Sequence, residues 1–141
     1  MPSRYQLLRE AVRQLAAPAP EQVACLDAMF VRLTGGGSAA AYGNDELAIG
    51  LDDIFMAAND MIAHDELSEA EAAAIRPLDA SLVRWSGEAN AAFWRREALF
   101  HDPRWDEVRS LARHALAILP DEPRNWGRFA GGSDGGLSGG R

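Results

Sequence analysis

Apolar residues recur at three- and four-residue spacing in stretch after stretch of this chain, and nowhere do they sustain an alternation. Leu7, Leu8, Ala11, Val12 and Leu15 form the first stripe, and Val23, Leu26, Phe30 and Leu33 the second. Leu47, Leu51, Ile54, Phe55, Ala58 and Ile62 make a third, and Ile75, Leu78, Leu82 and Trp85 a fourth. Trp105, Val108, Ala112, Ala115, Leu116 and Leu119 supply the last. A period near 3.6 places such residues on one face of a helix. With β-branched residues scarce as well, the spacing predicts an all-α chain: a single-domain bundle of about five helices.

Local signals punctuate those stripes. Ser3 suits an N-cap, Pro18 and Pro20 separate the first two helices, and the glycines of GGGSAAAYG (35–43) end the second. That loop lacks the GK[ST] ending of a phosphate cradle. Asn44 or Asp45 is placed to cap the third helix, inside which Gly50 costs about 1 kcal/mol relative to Ala. Ser68 and Glu71 make a capping box for the fourth, with a kink expected near Pro77 and an end at Gly87. A short helix is expected from Glu88 to Phe100. Asp102–Pro103 opens the last one and Pro120 closes it. Residues 1–127 read as the helical domain, and the Gly/Ser-rich 128–141 as a disordered tail. At 141 residues there is room for one core.

The charge is unevenly distributed. The net is −7, yet residues 21–75 hold eleven carboxylates against the single Arg32, a local −10. Such a stretch repels nucleic-acid phosphates and anionic lipid, and on one surface would favour a protein partner with a basic surface. Read more plainly, the acids keep a small protein soluble. All fourteen basic residues are Arg. Without lysine there is no Schiff base, no pyridoxal-phosphate anchor and no P-loop lysine. One cysteine, Cys25, gives no disulfide framework or thiolate cluster. The polar start MPSRYQLLRE has no signal-peptide apolar region, and no apolar run is of membrane-spanning length. The expected setting is the cytoplasm.

Three stretches together carry a resemblance: LDD at 51–53, SEAEAAAIRPLDASL at 68–82 and DPRWDEVRSLARHALAIL at 102–119. The chain resembles a family of small uncharacterised bacterial proteins, mostly actinobacterial. They share an acidic pair within a long apolar segment and a closing DPxWxxVxxxAxxAL helix. The likeness covers roughly residues 4–119 and rests on Asp52, Asp53, Leu78, Asp79, Asp102, Pro103, Trp105, Val108, Ala112, Ala115 and Leu116. The segment Met56 to Glu66 departs from the pattern. The resemblance implies a helical fold more than an activity.

Several groupings suggest chemistry. Asp53, Asp60 and His64 fall within about 40° of one another on a continuous third helix. Together with Asp52 they could serve a metal-assisted hydrolase, or they could form a solvated face. Asp52, beside Met56 and Asn59, sits on the flank of that helix, as an interface residue or as an acceptor from a neighbouring Arg. Asp79 has the same two readings. His101, Asp102 and Asp106 resemble a base with orienting carboxylates, although Asp102 suits a cap. Arg95 and Arg96, after two aromatics, could contact phosphate or pair with the acidic middle third. No nucleophile with its base is identifiable, and no cofactor is implied. The expectation is a protein acting through protein–protein binding, of which an immunity or antitoxin-like role against a basic toxin is the concrete version. The contact surface would comprise Asp45, Glu46, Asp52, Asp53, Met56, Asp60, Asp65 and Glu66. The alternatives are the metal-assisted hydrolase and a regulatory or structural helical module.

Overall fold

Three of the cap signals act where the sequence places them. Ser3 Oγ accepts from the Gln6 amide at 3.1 Å while Gln6 Oε1 accepts from the Ser3 amide at 2.8 Å, which starts α1 (Arg4–Ala16). Ser68 and Glu71 repeat the arrangement at 3.0 and 2.8 Å ahead of α5 (Glu69–Arg84). Asp102 Oδ1 accepts from the Arg104 amide at 2.9 Å and Pro103 opens α7 (Pro103–Ile118). Each such cap satisfies amides that a helix start would otherwise leave bare, worth about 1 kcal/mol.

The structure is a computed structural model that describes residues 2–34 and 43–121. The 35–42 part of the expected loop, the side chain of Leu33, Trp126 and the expected tail at 128–141 lie outside the described residues. Between the capped helices run α2 (Ala19–Thr34), α3 (Asp45–Phe55), α4 (Ala58–Ala63), a 3-10 segment (Glu88–Trp94) and α6 (Ala98–His101). Among the described residues there is no strand, and none of the helices is long and apolar enough to cross a membrane. The chain is thus all-helical, with seven α-helices and one 3-10 segment among the described residues where about five helices were expected.

Two expected helices are each divided. The third ends at Phe55; Met56 and Ala57 form a turn in which the Ala57 amide reaches back only three residues, to Ile54 O at 3.0 Å. The break changes the phase, so Met61 is fully buried and Ile62 only half-buried. The expected Glu88–Phe100 helix is interrupted because Asn44 takes its carbonyls. Asn44 Nδ2 donates to Phe93 O at 3.3 Å and Arg95 O at 2.5 Å, and its amide donates to Trp94 O at 3.1 Å. Asn44 therefore stands at the N-cap of α3 without capping it through its side chain. By contrast α5 continues through Pro77, which faces solvent while Ile75 and Leu78 on either side are fully buried.

The core lies where α1 packs on α7 and α3, and where α7 packs on α5. Tyr5, Leu8, Val12 and Leu15 are the buried face of α1; Leu7, expected there, is 48% exposed. The +3, +4, +3 spacing that starts at Tyr5 fits between α3 and α7, and it turns Leu7 outward. The Tyr5 hydroxyl donates to Pro120 O at 2.5 Å and ties both ends of the domain together. Trp105 is the largest buried side chain, stacked on Phe93 with centroids 4.5 Å apart, and its indole N–H donates to Phe93 O at 2.7 Å. Burial of each such residue contributes about 1.5–3 kcal/mol. Trp85 and Trp94, beside this pair, are half-buried.

Candidate functional site

Apolar side chains on α3, α5 and the 3-10 segment line an open groove. Its volume is about 670 Å³ and its walls come from Ala48 and Ile49 on α3, Leu82 and Val83 on α5, and Ala91 and Trp94 on the 3-10 segment. Ile49 is 44% and Val83 61% exposed, so the groove presents apolar surface to solvent. Asp45, Asp52, Asp79 and Glu88 also line the groove, and among the described residues no Arg or His does.

The acids are not spread evenly around it. Asp52 and Asp79 repel one another from opposite walls, which with the larger effect of burial pushes the Asp79 carboxyl above its ordinary range. Asn44, just before Asp45, is bonded to the 3-10 segment that follows α5. The two walls therefore run antiparallel, with Asp52 facing Asp79 and the Asp45 end of α3 set against the C-terminal part of the 3-10 segment. Desolvation and like charge both disfavour the ionised form of a carboxylate. A cation between Asp52 and Asp79 would relieve both.

The residues expected to form one contact surface divide into separate groups. Asp45 and Asp52 line the groove, and Met56, one turn beyond Asp52, is 77% exposed. Asp53 is exposed and points elsewhere, and Glu46 is half-buried. Asp60 and Glu66 converge instead on Arg4, which donates to Asp60 Oδ2 at 2.8 Å and to Glu66 at 2.9 and 2.7 Å. Those hydrogen bonds hold both carboxyls below their ordinary range. Asp65 holds the turn after α4 at φ +62°, with its amide donating to Ile62 O and that of Glu66 to Met61 O. This is a helix-ending turn of the Schellman type, built on Asp where Gly is commoner.

The stripe proposed for metal chemistry is split by the same break. Asp60 is engaged by Arg4 and lies 3.6 Å from His64 Nδ1, while Asp52 and Asp53 belong to a different helix. Among the described residues no three His, Cys, Asp or Glu side chains converge as metal ligands would. At the start of α7, Asp102 is bound by Arg104 at 2.6 Å and Asp106 by Arg109 at 3.0 Å, so neither orients the exposed His101. Arg96 pairs with Asp27 at 3.1 Å, the intramolecular option for the Arg95–Arg96 pair.

Two features were outside the reach of sequence reasoning. The groove needs Asp79 and Glu88 beside α3, a juxtaposition that only the fold creates. The other is a buried polar junction. Arg109, 7% exposed, donates to Gln22 Oε1 at 2.8 Å and Leu99 O at 2.9 Å, while Gln22 Nε2 donates to Gln14 O and Leu15 O at 3.2 and 3.1 Å. It locks α2, α6 and α7 together. A single sequence offers only a hint of it: Gln22 and Arg109 break the polarity of otherwise apolar helix faces. Compared with family models, with curated proteins and with solved structures, the chain matches none of them.

Proposed function

We propose that the protein works by binding another protein, and that the groove between α3, α5 and the 3-10 segment is its contact surface. One observation carries the reading: four carboxylates border an exposed apolar floor that no basic side chain among the described residues neutralises. Single exposed apolar residues need no explanation, but an apolar patch rimmed by charge of one sign is what interaction sites are built from. The complementary partner surface is basic with an apolar centre. Neutralising a basic toxin is the concrete form this takes, in keeping with the acidic balance of the chain.

The full chain and a variant carrying Asp52→Arg and Asp79→Arg serve as paired baits, with Asp53→Arg as the control outside the groove. A partner held by wild type and by the control, and lost from the double variant, is the expected result. Equal retention by the double variant overturns the reading. Co-expression with the product of the adjacent gene tests the toxin version, which predicts growth with the wild type and arrest with the double variant.

A further inference from the structure

The length of the groove and the placement of its charges point to the shape of what it binds. Asp45 and Asp52 stand seven residues apart on α3, which is about 10 Å at 1.5 Å per residue, or two helical turns. On the opposite wall Asp79 faces Asp52, and Glu88 lines the groove beyond the end of α5. Two carboxylates thus face each other across the trough at Asp52, and Asp45 stands two turns away on the same wall. Between them lie Ile49, Leu82 and Val83, and the top is open to solvent. No strand edge exists among the described residues for an extended segment to join.

We infer that the groove receives one amphipathic helix of the partner, carrying two basic residues seven positions apart with large apolar side chains at the third and fourth positions between them. Residues i and i+7 lie within about 20° on a helix, so both cations point into the trough along with the apolar pair. One cation sits between Asp52 and Asp79 and the other beside Asp45. Met56, a turn past Asp52 and strongly exposed, gives an adaptable thioether for a further apolar contact. A third helix laid across two antiparallel ones keeps ordinary interhelical distances. This rests on the protein-binding reading above and specifies what that reading leaves open.

The test uses the full chain and two synthetic helical peptides of identical composition. One has Arg at i and i+7 with Leu at i+3 and i+4; the other has its second Arg at i+5, about 140° around the helix. Titration calorimetry should show the first peptide binding at least tenfold more tightly, with affinity falling as salt is added. Asp52→Asn with Asp79→Asn should weaken it at least tenfold, and Asp53→Asn should leave it unchanged, with circular dichroism confirming that both variants are folded. Equal binding of the two peptides, or no binding of either, overturns the inference. So does octylguanidinium binding as tightly as the first peptide, which would mark a small-molecule site. Self-association of the chain that the peptide fails to displace would assign the groove to a second copy and also overturn it. A partner captured through Asp52 and Asp79 while neither peptide binds would reject the helix and leave the protein-binding reading standing.

Discussion

The molecule treats charge in opposite ways at two places. At the junction of α2, α6 and α7, Arg109 is buried and every acceptor around it is used: Gln22, Leu99 and Asp106. At the groove, Asp45, Asp52, Asp79 and Glu88 stand beside apolar surface with no cation among the described residues to meet them. Arg4, with Asp60 and Glu66, lies between these extremes, satisfied but at the surface. A charge whose partners are all internal serves the fold. A set of like charges left facing one another lowers stability, and that is the expected signature of a surface shaped for something else.

The comparison can be broken most decisively at the junction. Arg109→Ala would leave Gln22 Oε1 and Leu99 O buried without donors, and urea denaturation should show a loss of about 3 kcal/mol. A loss below about 1 kcal/mol would mean that water replaces the guanidinium and that the junction is no structural lock. The groove should respond with the opposite sign. Asp79→Asn should raise stability at neutral pH by about half a kcal/mol, allowing for partial exposure. Because the folded carboxyl titrates above its unfolded value, the wild-type handicap is absent at low pH and grows as pH rises through the raised value. The advantage of the variant should therefore vanish under acid conditions, as melting temperatures at a series of pH values will show. A neutral-pH loss in Asp79→Asn would contradict the assignment.

Arg4→Gln should have the smallest effect and a third pH signature. Asp60 and Glu66 titrate below their ordinary values when folded, so their contribution is present above the unfolded range and disappears as pH falls through the folded values. Wild type should be slightly the more stable at neutral pH, and the difference should shrink towards zero as pH falls through those depressed values. Such exposed networks are worth little, and added salt should reduce the difference further. A difference that grows on acidification would refute the pairing.

Parts of this fold are legible without coordinates, for identifiable physical reasons. Ser3, Ser68 with Glu71, and Asp102–Pro103 act on amides two or three residues away, so their meaning is contained in their own neighbourhoods. The stripe from Trp105 to Ala115 reads correctly because a long helix packed on two neighbours keeps one phase. Legibility fails where distant residues intervene. Asn44 caps nothing because it binds carbonyls some fifty residues later, and the same bonds divide the expected Glu88–Phe100 helix. The turn at Met56 and Ala57 shifts the phase that had placed Asp53, Asp60 and His64 on one face. Of the candidate surface, the α3 residues Asp45 and Asp52 could be picked from sequence. Their association with Asp79 and Glu88, and the capture of Asp60 and Glu66 by Arg4, depend on chain segments that periodicity treats one at a time.

The aromatic cluster beside the groove has an optical consequence. Trp105 is sealed in the core, with its ring out of reach of solvent. Trp94 is half-buried, lines the groove, and meets Trp105 edge to face at 6.0 Å. Its indole N–H is already committed to Trp85 O at 2.9 Å, so only the face of the ring senses what enters. An occupant that displaces water from that face changes the colour of one tryptophan while its neighbour stays constant. The groove thus carries a built-in indicator of its own occupancy, with an internal reference a few ångströms away.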